Sequence, residues 1–458
     1  MIQQLGDFHH PFFIGIAGTG MSALAQYLRE EGKQVSGSDR YFLPDVANAT
    51  RSMLEAAGIR CFPQNGEGIT GQTDLVVVST AVEDTVEEVQ IARRRGIPIL
   101  HRAELLALIV ASRRTLAIGG TSGKSTTTAM LFEILDQAGL GPGIISGAGL
   151  VSLIRAGKIG NARHGNGPWL VIEADESDGS IVSYHPQIGL LLNIDKDHKE
   201  IDVLTGLFGQ FRDHCQHFVV NQAHPLARQL SRDIRQDFSA DPDCPAGLVA
   251  TGFRQEGLTI RFEVNGVPFR LNQVGRHNME NALAATAAAV MTGLSLEQCA
   301  SALATYQGIY RRHQVWGRKE GVWLVDDYAH NPVKCAASIR ACQPIAGKVV
   351  AWFQPHGYGP TKFLRKEFVE ELARVLRDTD EIWMSEIFYA GGTAQKDISA
   401  ADLVADLRAL GKPAWFVADR RDFLQAVRTH LTGDCVLLLM GARDPSLEDF
   451  ARAVWEEL

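Results

Sequence analysis

The stretch TLAIGGTSGKSTTTAM, residues 115–130, constrains this chain more than any other. A buried-type apolar run enters glycines, and a helix-forming run follows at once from near Gly123. That order suits a phosphate-binding loop, because glycines let backbone N–H groups face an anion while the helix presents its positive end. Gly119, Gly120 and Gly123 supply the clearance, Lys124 would reach outer phosphates, and Ser125 would offer a hydroxyl to Mg²⁺. The spacing is one residue short of G-x-x-x-x-G-K-[ST], so a glycine-rich turn with a chance Lys-Ser is the competing reading.

The rest of the chain repeats the alternation of strand and helix. Residues 1–112 hold the apolar run Pro11–Ala17, the helical MSALAQYLREEG, and the strand-like QVSGSD, DLVVVST and IPIL. Residues 113–314 hold the loop, the strands WLVIEAD, IGLLLNI and HFVVN, and an alanine-rich helix from Met279. Within them LTIRFEVNGVPFRLN carries Asn-Gly between alternating runs, a hairpin signal. The hydrophilic SRDIRQDFSADPDCPAG is expected to be an exposed connection. Residues 315–458 hold VWLVDDYAHNP, KVVAWFQPH, EIWMSEIF, PAWFV and CVLLLMGARDP as strands among charged helices. The expected class is α/β, with parallel doubly wound sheets in series and no internal repeat.

Length and composition bound the function. At 458 residues the chain exceeds one core, and a net charge of -8 argues against a nucleic-acid polymer as partner. No apolar run is long enough to span a membrane, and the N-terminus lacks signal-peptide order. Seven dispersed cysteines with no C-x-x-C pair fit reduced thiols in a cytoplasmic protein.

Polar residues gather where apolar strands end. VIEADESD places Glu173, Asp175, Glu176 and Asp178 together; they either face a cation or form a solvated acidic turn. GLLLNI runs into DKDHKEID, where His198 beside Asp197 is a metal or phosphate partner or an ordinary surface histidine. Gly15, Gly18 and Gly20, followed by Asp39 at the next strand's end, match dinucleotide-type binding or a tight packing turn. GRHNMENA puts Asn278 and Asn281 on one helix face, to cap it or to meet a purine edge. Arg311 and Arg312 are surface residues or a phosphate brace. Asp326, Asp327, Tyr328, His330 and Asn331 after a buried strand point to a site at a sheet's carboxyl edge.

In this order, GIAGTGMSALA, VSGSD, GGTSGKSTTT, EADESD, NIDKDH, GRHNMENALAA, YRRH, DDYAHNP and FQPH resemble the Mur ligase family over nearly the whole chain. The resemblance implies three domains: a Rossmann-like UDP-sugar domain (1–112), a P-loop ATPase domain (113–314) and a Rossmann-like amino-acid or peptide domain (315–458). It accounts for the loop's compact form and implies that Gly120, Thr121, Gly123, Lys124, Ser125 and Thr126 hold ATP. Ser125, Glu173 and His198 would hold magnesium, Asn278 and Asn281 the adenine, Arg312 a phosphate, and Asp326 ribose or substrate. Gly18, Gly20, Met21, Ser22, Asp39, Ser79 and Thr80 would bind a UDP-N-acetylmuramate-type nucleotide sugar, and Tyr328, His330 and His356 the amine-bearing amino acid or peptide. The implied reaction is ATP-dependent amide formation through an acyl phosphate in cell-wall precursor metabolism. Lys124, Glu173, His198, Arg312 and His330 would be catalytic. Closure would hinge near 112 and 315, and the expected assembly is a monomer or weak homo-oligomer. A catalytically silent nucleotide-binding relative is the reading outside the enzyme class.

Three positions depart from the branch of the family that this chain most resembles. Gly357 and Pro360 stand where arginines near the amino acid are usual, and Ser122 stands where histidine is. Either another base such as Lys362 or Arg365 replaces the missing clamp, or the amine substrate differs.

Overall fold

Strand Arg114–Gly119 lies inside a six-stranded sheet of the computed structural model, which describes residues 2–196, 199–389 and 395–458. The order is His217–Val220, Ile188–Leu191, Arg114–Gly119, Trp169–Glu173, Gly143–Ile145, Ala162–Arg163. All pairings are parallel except the last. The loop strand is therefore flanked by the strands that end in the acidic run and in NIDKD, and parallel pairing brings all three carboxyl ends to one edge.

A second parallel sheet precedes it, ordered Arg60–Pro63, Ser36–Asp39, Pro11–Ile14, Leu75–Val78, Ile99–His101. The strand order reverses beside Pro11–Ile14, so the turn after it and Ser79–Thr80 after Leu75–Val78 open at a switch point. Phe12, Phe13, Val76 and Val77 are fully buried, as strands covered on both faces require. Helix Glu87–Arg95 carries acids in its first turn and arginines in its last, matching its dipole, and stops at left-handed Gly96.

Both sheets belong to one compact unit comprising Met1–Gly252, Phe262–Arg270 and Met279–Ile309. A single apolar cluster runs from Phe13, Met21 and Leu24 to Leu170, Phe208 and Phe211. Asn161 donates to Thr19 O at 2.8 Å and accepts from Gln26 at 2.8 Å, and Lys158 pairs with Glu30 at 2.6 Å. These contacts pack the two sheets together within that unit.

The second unit comprises Phe253–Arg261, Leu271–Asn278 and Tyr310–Leu458. Its six-stranded sheet is ordered Gln314–Lys319, Val322–Asp327, Cys435–Gly441, Lys348–Gln354, Glu381–Met384, Ala414–Phe416. Only the first pairing is antiparallel. Apolar clusters cover both faces, one around Ile339, Leu372 and Leu403 and the other around Trp352, Phe423 and Val454. Helix Pro332–Cys342 starts where Asn331 accepts from Lys334 N, with Pro332 in the first turn where no donor is needed.

Asn265 and Gly266 both take positive φ (47° and 83°), the type I′ geometry that the Asn-Gly pair indicates between Thr259–Val264 and Val267–Leu271. The polar stretch 231–247 is accessible along most of its length, as its composition suggests, but its middle, residues 237–240, is buried. Phe238–Ser239 forms a short buried strand, and Asp237 is fully buried, accepting from Val220 N at 2.8 Å and Gln222 at 2.6 Å. Those donors replace the water a buried carboxylate loses.

Candidate active site

The nucleotide loop is built from three strand ends of the first unit. Gly123 caps helix Lys124–Gln137 at φ 86°, a conformation glycine adopts without a Cβ penalty. A Cβ there would lie 2.5 Å from Asn281 Oδ1, so glycine is also required by packing. Asn193, at the end of the neighbouring strand's run, braces the loop: its Oδ1 accepts from Thr121 Oγ1 (2.9 Å) and Ser122 N (2.8 Å), and its Nδ2 donates to Ser122 O (3.1 Å). Thr121 Oγ1 also accepts from Asp195 N at 3.0 Å.

Lys124 Nζ donates to Gly120 O at 2.7 Å and pairs with Glu176 at 2.8 Å. The acidic run is therefore compensated, and largely by side chains. Glu176 faces Lys124, Asp178 meets Arg102 at 3.0 Å, and Asp175 accepts from Ser177 N within its own turn. Hydrogen bonds from Ser180 and the charge of Arg102 outweigh partial burial and hold the Asp178 carboxyl below its usual range. Glu173 closes its strand with Oε1 accepting from Ser146 Oγ (2.8 Å) and Gly147 N (2.9 Å). Ser125 and Thr126 occupy the helix's first turn, and Asn281 accepts from Thr127 Oγ1 at 3.3 Å. The structure thus brings Gly120–Thr126, Glu173 and Asn281 to one edge; His198 lies outside the described residues.

At the first sheet, Asp39 is 5% exposed and accepts from Ala17 N and Tyr41 N, both at 3.0 Å. It fastens the glycine turn, whose backbone Gly15 N and Ile16 N also reach Ser38 O. Arg102 lies over Gly20, with Cδ and Nη1 3.2 Å from where a Cβ would stand. Met21 packs into the core and Ser22 is buried, its hydroxyl donating to Thr19 O and accepting from Asn161. These two face inward, beneath Gly18 and Gly20.

The second unit gathers Arg312, Asp326, Tyr328, His330 and His356 at its own sheet's carboxyl edge. Arg311 takes Asp326 for itself, its Nε reaching both oxygens at 3.0 and 3.2 Å, while Arg312 stacks 4.9 Å above the Tyr328 ring. Asn278 is nearly buried and donates to Val274 O at 2.8 Å, a bond within its helix start. His330 and His356 have ring centroids 5.5 Å apart. Burial, with Lys334 next, pushes His330 down to about 4; burial and Arg443 do the same to His356. Both imidazoles are neutral at pH 7. Tyr328 O can only accept, so His330 Nδ1, 2.9 Å from it, carries the proton and Nε2 keeps the lone pair.

Lys362 and Arg365, the two bases close by in sequence, are each held by an aspartate in this structure. Lys362 is paired with Asp397, and Arg365 grips Asp406 through Nε and Nη2 at 2.7 and 3.0 Å. Sequence reasoning did not single out Asn193, Asn161 or the Lys124–Glu176 pair. Only Asn193 left a trace, as a polar residue inside the apolar IGLLLNI.

A strand, a bound-lysine loop and an acidic neighbour on a largely parallel sheet, with a doubly wound sheet before and another after, define a nucleotide-using α/β enzyme. Residues 10–114 match the Mur ligase family catalytic domain, 118–289 its middle domain and 311–443 its glutamate ligase domain. The chain belongs to the Mur ligase family and is an ATP-dependent ligase. It is 34% identical to a UDP-N-acetylmuramate–L-alanine ligase of Synechococcus sp. (strain RCC307), over 94% of this chain and 93% of that one. A protein of the same name from Pelotomaculum thermopropionicum is 33% identical over 95% of each chain. Among solved structures, a UDP-N-acetylmuramate–alanine ligase from Thermotoga maritima superposes with a TM-score of 0.80 at 25% identity, covering 98% of both chains. A murein peptide ligase from Psychrobacter arcticus shares the fold, with a TM-score of 0.66 at 21% identity and 98% of both chains covered. Among the described residues no helix is long and apolar enough to cross a membrane.

Proposed function

We propose that this ligase joins the amine of L-alanine, or of another amino acid or peptide, to the carboxylate of UDP-N-acetylmuramate, with MgATP, in the cytoplasm. The observation that carries the reading is the loop edge: Lys124, Ser125 and Glu173 on adjacent strand ends, in a chain that matches L-alanine ligases nearly end to end.

A carboxylate is a poor acylating agent, so the reaction needs ATP to make it an acyl phosphate, which the amine then opens to amide and phosphate. Negative charge spreads over the phosphoryl oxygens in transfer, and a lysine with backbone N–H groups at a helix start stabilises it. In this reading Lys124 moves from Glu176 to phosphate, and Asn193 keeps the loop's N–H groups aimed. The donors present suit magnesium, a hard cation that takes oxygen ligands. Ser125 and Glu173 would hold it, with His198 as a third, and it would neutralise phosphate charge. Glu173 Oε1 is fixed by Ser146 and Gly147, which orients the carboxylate for that purpose. On the amine side, His330 held down to about 4 is too weak a base to strip an ammonium. Its Nε2 lone pair accepts a hydrogen bond and positions the amine instead.

The test is phosphate release by purified protein given MgATP, UDP-N-acetylmuramate and a panel of amino acids and peptides. Release with at least one amine, lost in Lys124→Ala, is expected. ATP binding without release for any amine would sink the reading in favour of a silent nucleotide binder. Gly357 and Pro360 make a different preferred amine the second reading, and the panel decides between L-alanine and murein-type peptides.

A further inference from the structure

We infer that Arg443 anchors the carboxylate of the amine-bearing substrate, doing from a neighbouring strand what the positions of Gly357 and Pro360 do not. This rests on the ligase reading above and adds the residue that sets its acceptor specificity.

Register places the groups. Lys348–Gln354 pairs in parallel with Cys435–Gly441, with Gln354 opposite Gly441. His356 and Arg443 each stand two residues beyond that pair, so they leave adjacent strand ends at one level. On the other flank Asp327 pairs with Met440, and His330 follows three residues on. The His330 and His356 rings approach to 5.5 Å, and the charge of Arg443 is felt at His356.

The acids around this edge are engaged elsewhere. Asp326 is bonded to Arg311, Asp327 lies 3.7 Å from His313 Nε2, and Asp444 is bonded to Arg420 and to Ser446. Arg443 is exposed and makes no hydrogen bond or ion pair among the described residues. The edge is left with the guanidinium groups of Arg312, which lies over Tyr328, and Arg443, and with two neutral imidazoles, which together favour an anion. His356 Nδ1 adds a buried polar atom with no hydrogen-bond partner.

The backbone supports a purpose. Arg443 has φ 64°, a left-handed conformation uncommon for a residue with a Cβ. Such strain persists where surrounding structure imposes it, often at a ligand site. Here it falls two residues after the fully buried strand Cys435–Gly441. A guanidinium offers a carboxylate two parallel N–H donors, the clamp the sequence otherwise lacks.

The test compares wild type, Arg443→Gly and Arg443→Lys in the phosphate-release assay, with the best amino acid of the panel and with its carboxamide. Glycine adopts the left-handed backbone freely, so its variant removes the charge without forcing the fold. In Arg443→Gly the KM for the amino acid should rise about tenfold or more, as loss of a charge-assisted bidentate pair implies. The KM for ATP should hold, the preference for acid over amide should collapse, and lysine should restore part of it. An unchanged amino-acid KM, or equal losses on acid and amide, would overturn the inference. Wild type using amide and acid equally would overturn the anchor yet leave the ligase reading standing. No release with any amine would overturn both.

Discussion

Gly123 and Asn193 set the loop's shape from opposite sides. A methyl group at Gly123 would meet Asn281 Oδ1 at 2.5 Å and would sit on a backbone with φ 86°. Gly123→Ala should therefore cost on the order of 1–3 kcal/mol through strain alone and push Asn281 away from Thr127. Differential scanning fluorimetry should show a lower Tm, and the KM for ATP should rise; an unshifted Tm would mean that the helix start relaxes freely. Asn193→Ala removes the acceptor for Thr121 and Ser122 N together. A loss of roughly 1–3 kcal/mol is expected from those unmet donors, with weaker ATP binding by calorimetry. The glycine was legible in the sequence, since strand, glycine and helix are local signals. Asn193 was not, because its partner lies 71 residues away and only parallel pairing of the two strands brings them together. Arg443 was hidden for the same reason.

At the scale of elements, the strand that ends on Asp39 and the turn after Pro11–Ile14 act as one piece. Asp39 holds Ala17 N and Tyr41 N, so the glycine turn's shape depends on a carboxylate one strand over. Two roles for Asp39, turn fastener and ribose contact, then give different outcomes. If fastening dominates, Asp39→Ala lowers the Tm of the protein without any ligand, by about 1–3 kcal/mol of lost charge-assisted bonds. If ribose contact dominates, the ligand-free Tm holds and only the Kd for UDP-N-acetylmuramate rises. The geometry predicts the first, with the Kd for UDP-N-acetylmuramate rising as well because the turn loses its shape. Elements themselves were largely legible: apolar runs became strands, Asn-Gly became a hairpin, and Asn331-Pro332 became a helix start. Within the largely accessible run 231–247 the burial of Asp237 was not legible, because hydrophilic composition carries no information on partners.

For the whole molecule, pH should act through histidines of the second unit that fold in a neutral state. Burial, then the neighbouring His313, takes His277 down to about 3; His330 and His356 lie at about 4. In the unfolded chain each returns to 6.5. Between 6.5 and about 4 the unfolded chain therefore binds protons that the folded one refuses. Stability from these groups is complete above 6.5 and falls as pH drops through that window. Each group steepens the decline by about 1.4 kcal/mol per pH unit once its unfolded form titrates. Chemical denaturation at pH 7.5, 6 and 5 should thus show a steep loss that begins near the first protonation, well above the range where carboxylates titrate. His277→Asn removes one of the protons taken up, so its stability should fall less steeply with pH, whatever its value at pH 7.5. Equal slopes for variant and parent would mean that His277 is protonated inside the folded protein, and that its burial does not exclude charge.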